Sequence, residues 1–223
     1  MRRYSLPTLK QCFEMLQEYH VPRHIKRHSL AVAQLGVFLA EKLKEKGLDI
    51  DVELVRSACL LHDLVRTCDF EKPDYDKFEQ RVTEEDEAKW EEIRERYKGV
   101  NHEDAAYDIL KEQYPVPALT VKKHKYAGIL DEALRPQTWE EKIVYYADMR
   151  VMGNRIVPLK TRLEDAHKRN VHLRESKNQS KADTAAADAL IYEMEKEIFA
   201  ILGLDPLSVT CELVEAHRHK QQM

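Results

Sequence analysis

The dipeptide His62-Asp63 lies inside the apolar run Ser57-Ala58-Cys59-Leu60-Leu61-His62-Asp63-Leu64-Val65, and no other feature constrains the fold as strongly. Helical periodicity over about Val52 to Arg66 places this imidazole and this carboxylate in a buried segment. An isolated charge taken out of water costs several kcal/mol, or its pKa shifts until the group is neutral. The fold must therefore bring partners to both groups. A divalent cation satisfies the requirement, because neutral imidazole and ionised carboxylate are ordinary ligands for such ions.

The surrounding pattern is helical nearly throughout. With only 6 glycines among 223 residues and charged residues at 34%, the composition favours helices over sheets. The expected helices run from about Leu6 to Tyr19, Arg23 to Lys46 (stopped by Gly47), Val52 to Arg66, and 84 to 98, the last exposed apart from Trp90 and Ile93. Asn101 reads as the N-cap of a helix reaching Tyr114, with Asp104 at its third position. A short helix containing Val121 and His124 follows Pro115 and Pro117. After it come helices over Thr138 to Met152, 158–176, 182–202 and 206–220. Residues 67–83, with Pro73, form the clearest irregular segment, and Arg174 to Lys181 reads as a flexible connection. No strand alternation, repeat or low-complexity tract is present. The expected fold is all-α, one domain over 1–223 with a core of about 23–155 and a C-terminal helical extension of about 156–223.

Two further helices repeat the anomaly of His62-Asp63. Asp148 shares its face with Val144, Ala147, Val151 and Met152, and His28 shares one with Ala31, Val32, Leu35 and Leu39. His28, His62, Asp63 and Asp148 thus make a two-histidine, two-carboxylate set suited to Fe, Mn, Zn, Co or Mg. Adjacent helical positions diverge by about 100°, so Asp63 is expected to turn toward a second ion, with His102 and His124 as its candidate ligands. Each residue has a plainer reading. His28 alone is a satisfied core histidine, His102 merely follows its cap, Asp148 pairs with Arg150 or Lys142, and His62-Asp63 is a hydrogen-bonded pair. The joint pattern favours the metal. A rival chelate of His24 with His28 has i, i+4 spacing but leaves Asp148 unexplained. His20 is separated from His24 by Pro22. His167, His172, His217 and His219 sit among charged residues on expected solvated faces.

At these residues the chain resembles the HD superfamily of metal-dependent phosphohydrolases. The resemblance runs from about His24 to Arg155, through Arg27-His28-Ser29, Leu60 to Arg66, Asn101-His102-Glu103-Asp104-Ala105-Ala106, Lys123-His124, and Lys142 to Val151. It implies a helical fold with His28, His62, Asp63 and Asp148 on a first metal. His102 and His124 place the chain nearer the binuclear members. Among those it is similar to the small bacterial branch (HDIG-type, diadenosine-tetraphosphatase-like) that hydrolyses dinucleoside polyphosphates symmetrically. The chain departs from that branch at Leu64-Val65-Arg66, where Ile-Gly-Lys is common, and at Lys125-Tyr126-Ala127-Gly128. The Gly-Tyr-Pro signature of cyclic dinucleotide phosphodiesterases is missing, and residues 156–223 match nothing recognisable.

The expected activity is hydrolysis of a nucleotide phosphoester or phosphoanhydride by water activated on one or two divalent ions. Asp63 and Arg66 are the expected catalytic residues. Arg66, Arg27 and Lys123 are the expected phosphate-binding cations, with arginine favoured because it grips two phosphate oxygens. A nucleoside 5′-monophosphatase and a non-catalytic metal-stabilised binding or sensor module are the alternatives. The net charge of −4, with signs interleaved, points to a small-molecule partner rather than nucleic acid. No membrane association is expected, and a homodimer is left open. Scattered Cys12, Cys59, Cys68 and Cys211, with no apolar stretch behind Arg2-Arg3, read as a cytoplasmic protein.

Overall fold

The computed structural model describes residues 4–70, 73–169 and 180–221. Among these residues the fold is all-α apart from one short hairpin. The helices are α1 (Leu9–Glu18), α2 (Arg23–Glu45), α3 (Val52–Leu61), α4 (Glu84–Arg96), α5 (His102–Leu110), α6 (Pro115–Lys122), α7 (Trp139–Asp148), α8 (Leu159–Arg169), α9 (Lys181–Leu202) and α10 (Cys211–Gln221). Local chemistry sets several of the starts. Thr8, Thr83, Thr138 and Ser180 each close a capping box, and Asp51 accepts from Glu53 N and Leu54 N at the head of α3. Pro115 opens α6, where a missing N–H costs nothing.

The long helix α2 is the centre of the molecule. It packs against α3 and α7, which also touch each other, while α6 lies on α3 and α5. Close approach of α2 to α3 depends on Gly36, since a Cβ there would lie 2.7 Å from Cys59 Sγ and 3.2 Å from Val55 Cγ1. The core formed at this junction includes Val32, Leu35, Leu39, Val55, Leu61, Val144 and Ala147, all sealed from solvent. The C-terminal helices lie over the same frame, α9 against α2 and α7, and α10 against α2. Arg150, almost fully buried, joins the two parts by donating to the carbonyls of Val157, Pro206 and Val209 and to Tyr146 Oη.

Several expected boundaries move. The third helix stops at Leu61, so His62 is its C-cap and Asp63 lies in the turn before a 3-10 segment, Arg66–Asp69. The helix expected through Met152 ends at Asp148. Beyond it, Val151–Met152 pairs antiparallel with Arg155–Ile156 in a small hairpin turned at Gly153, whose φ of 61° is left-handed. His124 falls in the turn after α6 rather than inside it. The helix expected from 206 begins only at Cys211, after a 3-10 turn at Pro206–Ser208. Arg174 to Gln179, most of the expected flexible connection, and His172 lie outside the described residues. Trp90 and Ile93 are the buried residues of α4, as its pattern predicts.

Candidate metal centre

Five helices, or the turns that follow them, deliver the histidines and carboxylates to one place. His28 comes from the first half of α2, His62 and Asp63 from the end of α3, His102 from the first position of α5, His124 from the turn after α6, and Asp148 from the last residue of α7. Three overlapping groups result: His28, His62 and Asp63; His62, His124 and Asp148; and Asp63, His102 and His124. Within each group the ligand atoms lie within 4.8 Å of one another. His24, the rival partner for His28, joins none of them. Its ring packs instead on Phe78, with centroids 4.9 Å apart.

The orientation of the rings is more telling than their proximity. A backbone carbonyl can only accept, so a ring nitrogen bonded to one carries the proton and leaves the other nitrogen for a ligand. His28 Nδ1 donates to the Gly153 carbonyl at 2.8 Å, His62 Nδ1 to the Cys59 carbonyl at 2.8 Å, and His124 Nδ1 to the Val121 carbonyl at 2.5 Å. His102 Nδ1 lies 2.7 Å from Asp69 Oδ2. All four Nε2 atoms are thereby turned inward. His28 Nε2 is 2.9 Å from Asp148 Oδ1, and His102 Nε2 is 3.1 Å from both Asp63 Oδ1 and His124 Nε2. The hairpin after α7 has a purpose in this arrangement, because it returns the Gly153 carbonyl to His28.

A divalent ion fits these residues. Buried His62 Nε2 has no hydrogen-bond partner, yet it lies 3.5 Å from Asp63 Oδ2 and 3.7 Å from Asp148 Oδ1. The facing Nε2 atoms of His102 and His124 cannot both present lone pairs at 3.1 Å unless a proton or cation lies between them. Electrostatics agree. Burial opposes ionisation of Asp63 and Asp148, but neighbouring histidines hold both well below the usual carboxylate range. Burial and Arg66 work against charge on His102, yet Glu103, Asp63 and Asp69 raise it to about 9. Burial, then His62 and His102, lowers His124 to about 4. Neutral and cationic imidazoles among ionised carboxylates are the groups a metal ion would hold in place of protons.

The predicted phosphate-binding cations separate. Arg66 is at the cluster, with Nη1 2.8 and 2.9 Å from the two ring nitrogens of His102 and 3.4 Å from Asp69. Arg27 is exposed and pairs with Glu79. Lys123 is buried, and its ammonium lies 2.9 Å from Glu141, whose carboxylate also caps α7 through Gln137 N and Thr138 N. The plainer reading of Asp148 is overturned: Arg150 is bound to Tyr146 and three carbonyls, and Lys142 to Glu197 at 2.8 Å. His167 and His217 are not on solvated faces. They pair with Asp188 and Glu41, and both are partly buried.

Two contributors lie beyond the sequence reading. Gly153-Asn154, flanked by Val151-Met152 and Arg155-Ile156-Val157, is a two-residue hairpin signal that could have been found. Asp69 stands in the segment read only as irregular, and nothing in its local pattern marks it.

Comparison with known proteins gives a consistent picture. The model of the HD domain family matches residues 25–152, which holds every histidine and carboxylate of the cluster. An uncharacterized protein of Methanocaldococcus jannaschii is 30% identical over 158 residues, covering 66% of this chain and 77% of that protein. A tRNA (cytidine(56)-2'-O)-methyltransferase of Picrophilus torridus is 24% identical over 220 residues, 93% of this chain, which spans about half (51%) of the methyltransferase's length. No solved structure matches.

Proposed function

The chain belongs to the HD domain family, and from that membership we propose that it is a metal-dependent phosphohydrolase of nucleotides, with dinucleoside polyphosphates as the first substrate class to test. Convergence of four histidine Nε2 atoms on Asp63 and Asp148, each ring fixed through its Nδ1, carries this reading. His28, His62, Asp63 and Asp148 would hold a first ion, and Asp63, His102 and His124 a second. Such ions, when bound, polarise phosphoryl oxygens and acidify water.

The chain's own residues supply the rest. The two oxygens of Asp63 face different halves of the cluster, Oδ2 toward His62 at 3.5 Å and Oδ1 toward His102 at 3.1 Å, so this carboxylate ties the halves together. Arg66 is the cation at the cluster with its side chain 39% exposed, enough to meet a phosphate arriving from solvent. Neither neighbouring thiol suits nucleophilic attack. Burial pushes Cys59 far up and Cys68 up to about 12, which keeps both protonated at neutral pH and leaves water as the attacking group.

Hydrolysis of dinucleoside polyphosphates and nucleoside 5′-monophosphates, measured on protein loaded in turn with Mn²⁺, Fe²⁺, Co²⁺ and Mg²⁺, tests the proposal. Faster turnover of the dinucleotides supports it, and preference for monophosphates favours the nucleotidase alternative. No hydrolysis with any ion favours a non-catalytic module. The likeness of nearly the whole chain to a tRNA methyltransferase favours one further reading, in which the phosphate is carried by tRNA, so tRNA belongs in the same panel. The net charge of −4 weighs against that polyanion.

A further inference from the structure

Asp69 ends the 3-10 turn Arg66–Asp69 and lies outside all three ligand groups, yet both its oxygens serve His102. Oδ1 accepts from the His102 backbone N–H at 3.2 Å, and Oδ2 lies 2.7 Å from His102 Nδ1. The first of these bonds does the work of a helix cap. Asn101 occupies the N-cap position of α5 but makes no capping bond with its side chain, so a carboxylate distant in sequence satisfies the first N–H. The second bond decides the tautomer. With the Nδ1 proton directed at Asp69, Nε2 is the nitrogen left for a divalent ion, and it faces Asp63 and His124.

We propose that Asp69 is the positioning residue of the second half of the cluster, fixing the helix start, ring orientation and tautomer with which His102 presents Nε2 to a divalent ion. This role rests on the metal reading above. Glu103 does not duplicate it. Its Oε2 is 3.3 Å from the same Nδ1 but makes no hydrogen bond. A carboxylate that donates nothing and accepts twice is what the arrangement requires, and an amide has only one acceptor oxygen. Outer carboxylates of this kind typically alter metal affinity by about 10–100-fold.

The test is titration of the chelator-stripped full chain with Co²⁺, followed by calorimetry and visible absorption, for wild type, Asp69→Asn and Asp69→Ala. Wild type is expected to show two binding events. Both variants should keep the first and weaken the second by about 10–100-fold, with a change in the absorption of the second ion. The isosteric Asp69→Asn keeps the result interpretable if Asp69→Ala folds poorly, and far-UV circular dichroism checks the fold of each. A residue that only capped α5 would lower the melting temperature and leave the Co²⁺ spectrum alone. Variants that bind both ions with wild-type affinity and spectrum overturn the role and leave the metal reading standing. A wild type that takes up no Co²⁺ removes both.

Discussion

The two halves of the cluster are built differently. His28 and Asp148 are carried by α2 and α7, and His62 caps α3, so the first half grows from the three helices that pack against one another at the centre. Their partners are backbone carbonyls set by the frame itself, those of Cys59 and Gly153. The second half hangs on the first residue of α5 and on a turn after α6, and its key outer partner is the side chain of Asp69. Core packing holds the first half at fixed spacing, because dense interiors resist displacement. In the second half the Val121 carbonyl fixes His124, but His102 depends on the two bonds to Asp69, a side chain distant in sequence. The lesson is an order of affinity: the first half should bind its ion more tightly and survive changes that empty the second.

Asp63 is the one residue both halves share, so Asp63→Ala breaks the comparison outright. Turnover should fall about a thousandfold or more, equivalent to ~4 kcal/mol of transition-state stabilisation, while circular dichroism stays that of the native fold. Activity within tenfold of wild type would mean that Asp63 is not central. The next largest effect separates the halves. His102→Ala or His124→Ala should lose the weaker ion and retain the tighter one by elemental analysis, with turnover reduced about a hundredfold, ~2.7 kcal/mol. Loss of all bound metal from either variant would show that the halves are not independent.

Arg66→Ala sharpens the comparison by leaving the ligands in place. Its guanidinium can make charge-assisted bonds worth about 1.5–3 kcal/mol to phosphate, so KM should rise by roughly 10–150-fold with ion content unchanged. A change confined to ion content would make Arg66 a support for His102 instead. The smallest effect lies away from the cluster. Asp86 completes the capping box of α4 and bonds His20 Nδ1 at 2.8 Å. Burial opposes its ionisation, but His20 and the Thr83 bonds hold its carboxyl below the ordinary value. Its folded pKa is therefore depressed, and the stability it contributes is complete above the unfolded value near ~4 and lost as pH falls through the folded one. Asp86→Ala should cost about 1 kcal/mol in denaturant melts at pH 7 and progressively less in acid, with ion uptake untouched. A cost independent of pH would assign the effect to packing.

The same contrast explains what was legible in the sequence. His28, His62 and Asp148 stand out because polar ligand residues interrupt apolar helical faces, and the structure places each among buried neighbours. The all-helical class follows from scarce glycine and steady 3.6-residue periodicity. Ends of elements were harder to place. Apolar residues continue past Leu61 and Asp148, so periodicity carries the expected helices onward, whereas the backbone turns at both points to present His62-Asp63 and the Gly153 carbonyl. The pairing of Lys123 with Glu141 is not legible in the sequence, because the two are 18 residues apart and only the folded chain joins them. Asp69 was hidden for the same reason: its partner His102 lies 33 residues on.

Calorimetric titration of the chelator-stripped protein with Mn²⁺, beside an Asp63→Ala and His62→Ala double variant of native circular dichroism, tests most directly whether these side chains form a metal centre. Saturable uptake by wild type that is absent from the double variant is the predicted result. Wild-type protein that binds no Mn²⁺, or a double variant that binds it equally well, would contradict the account.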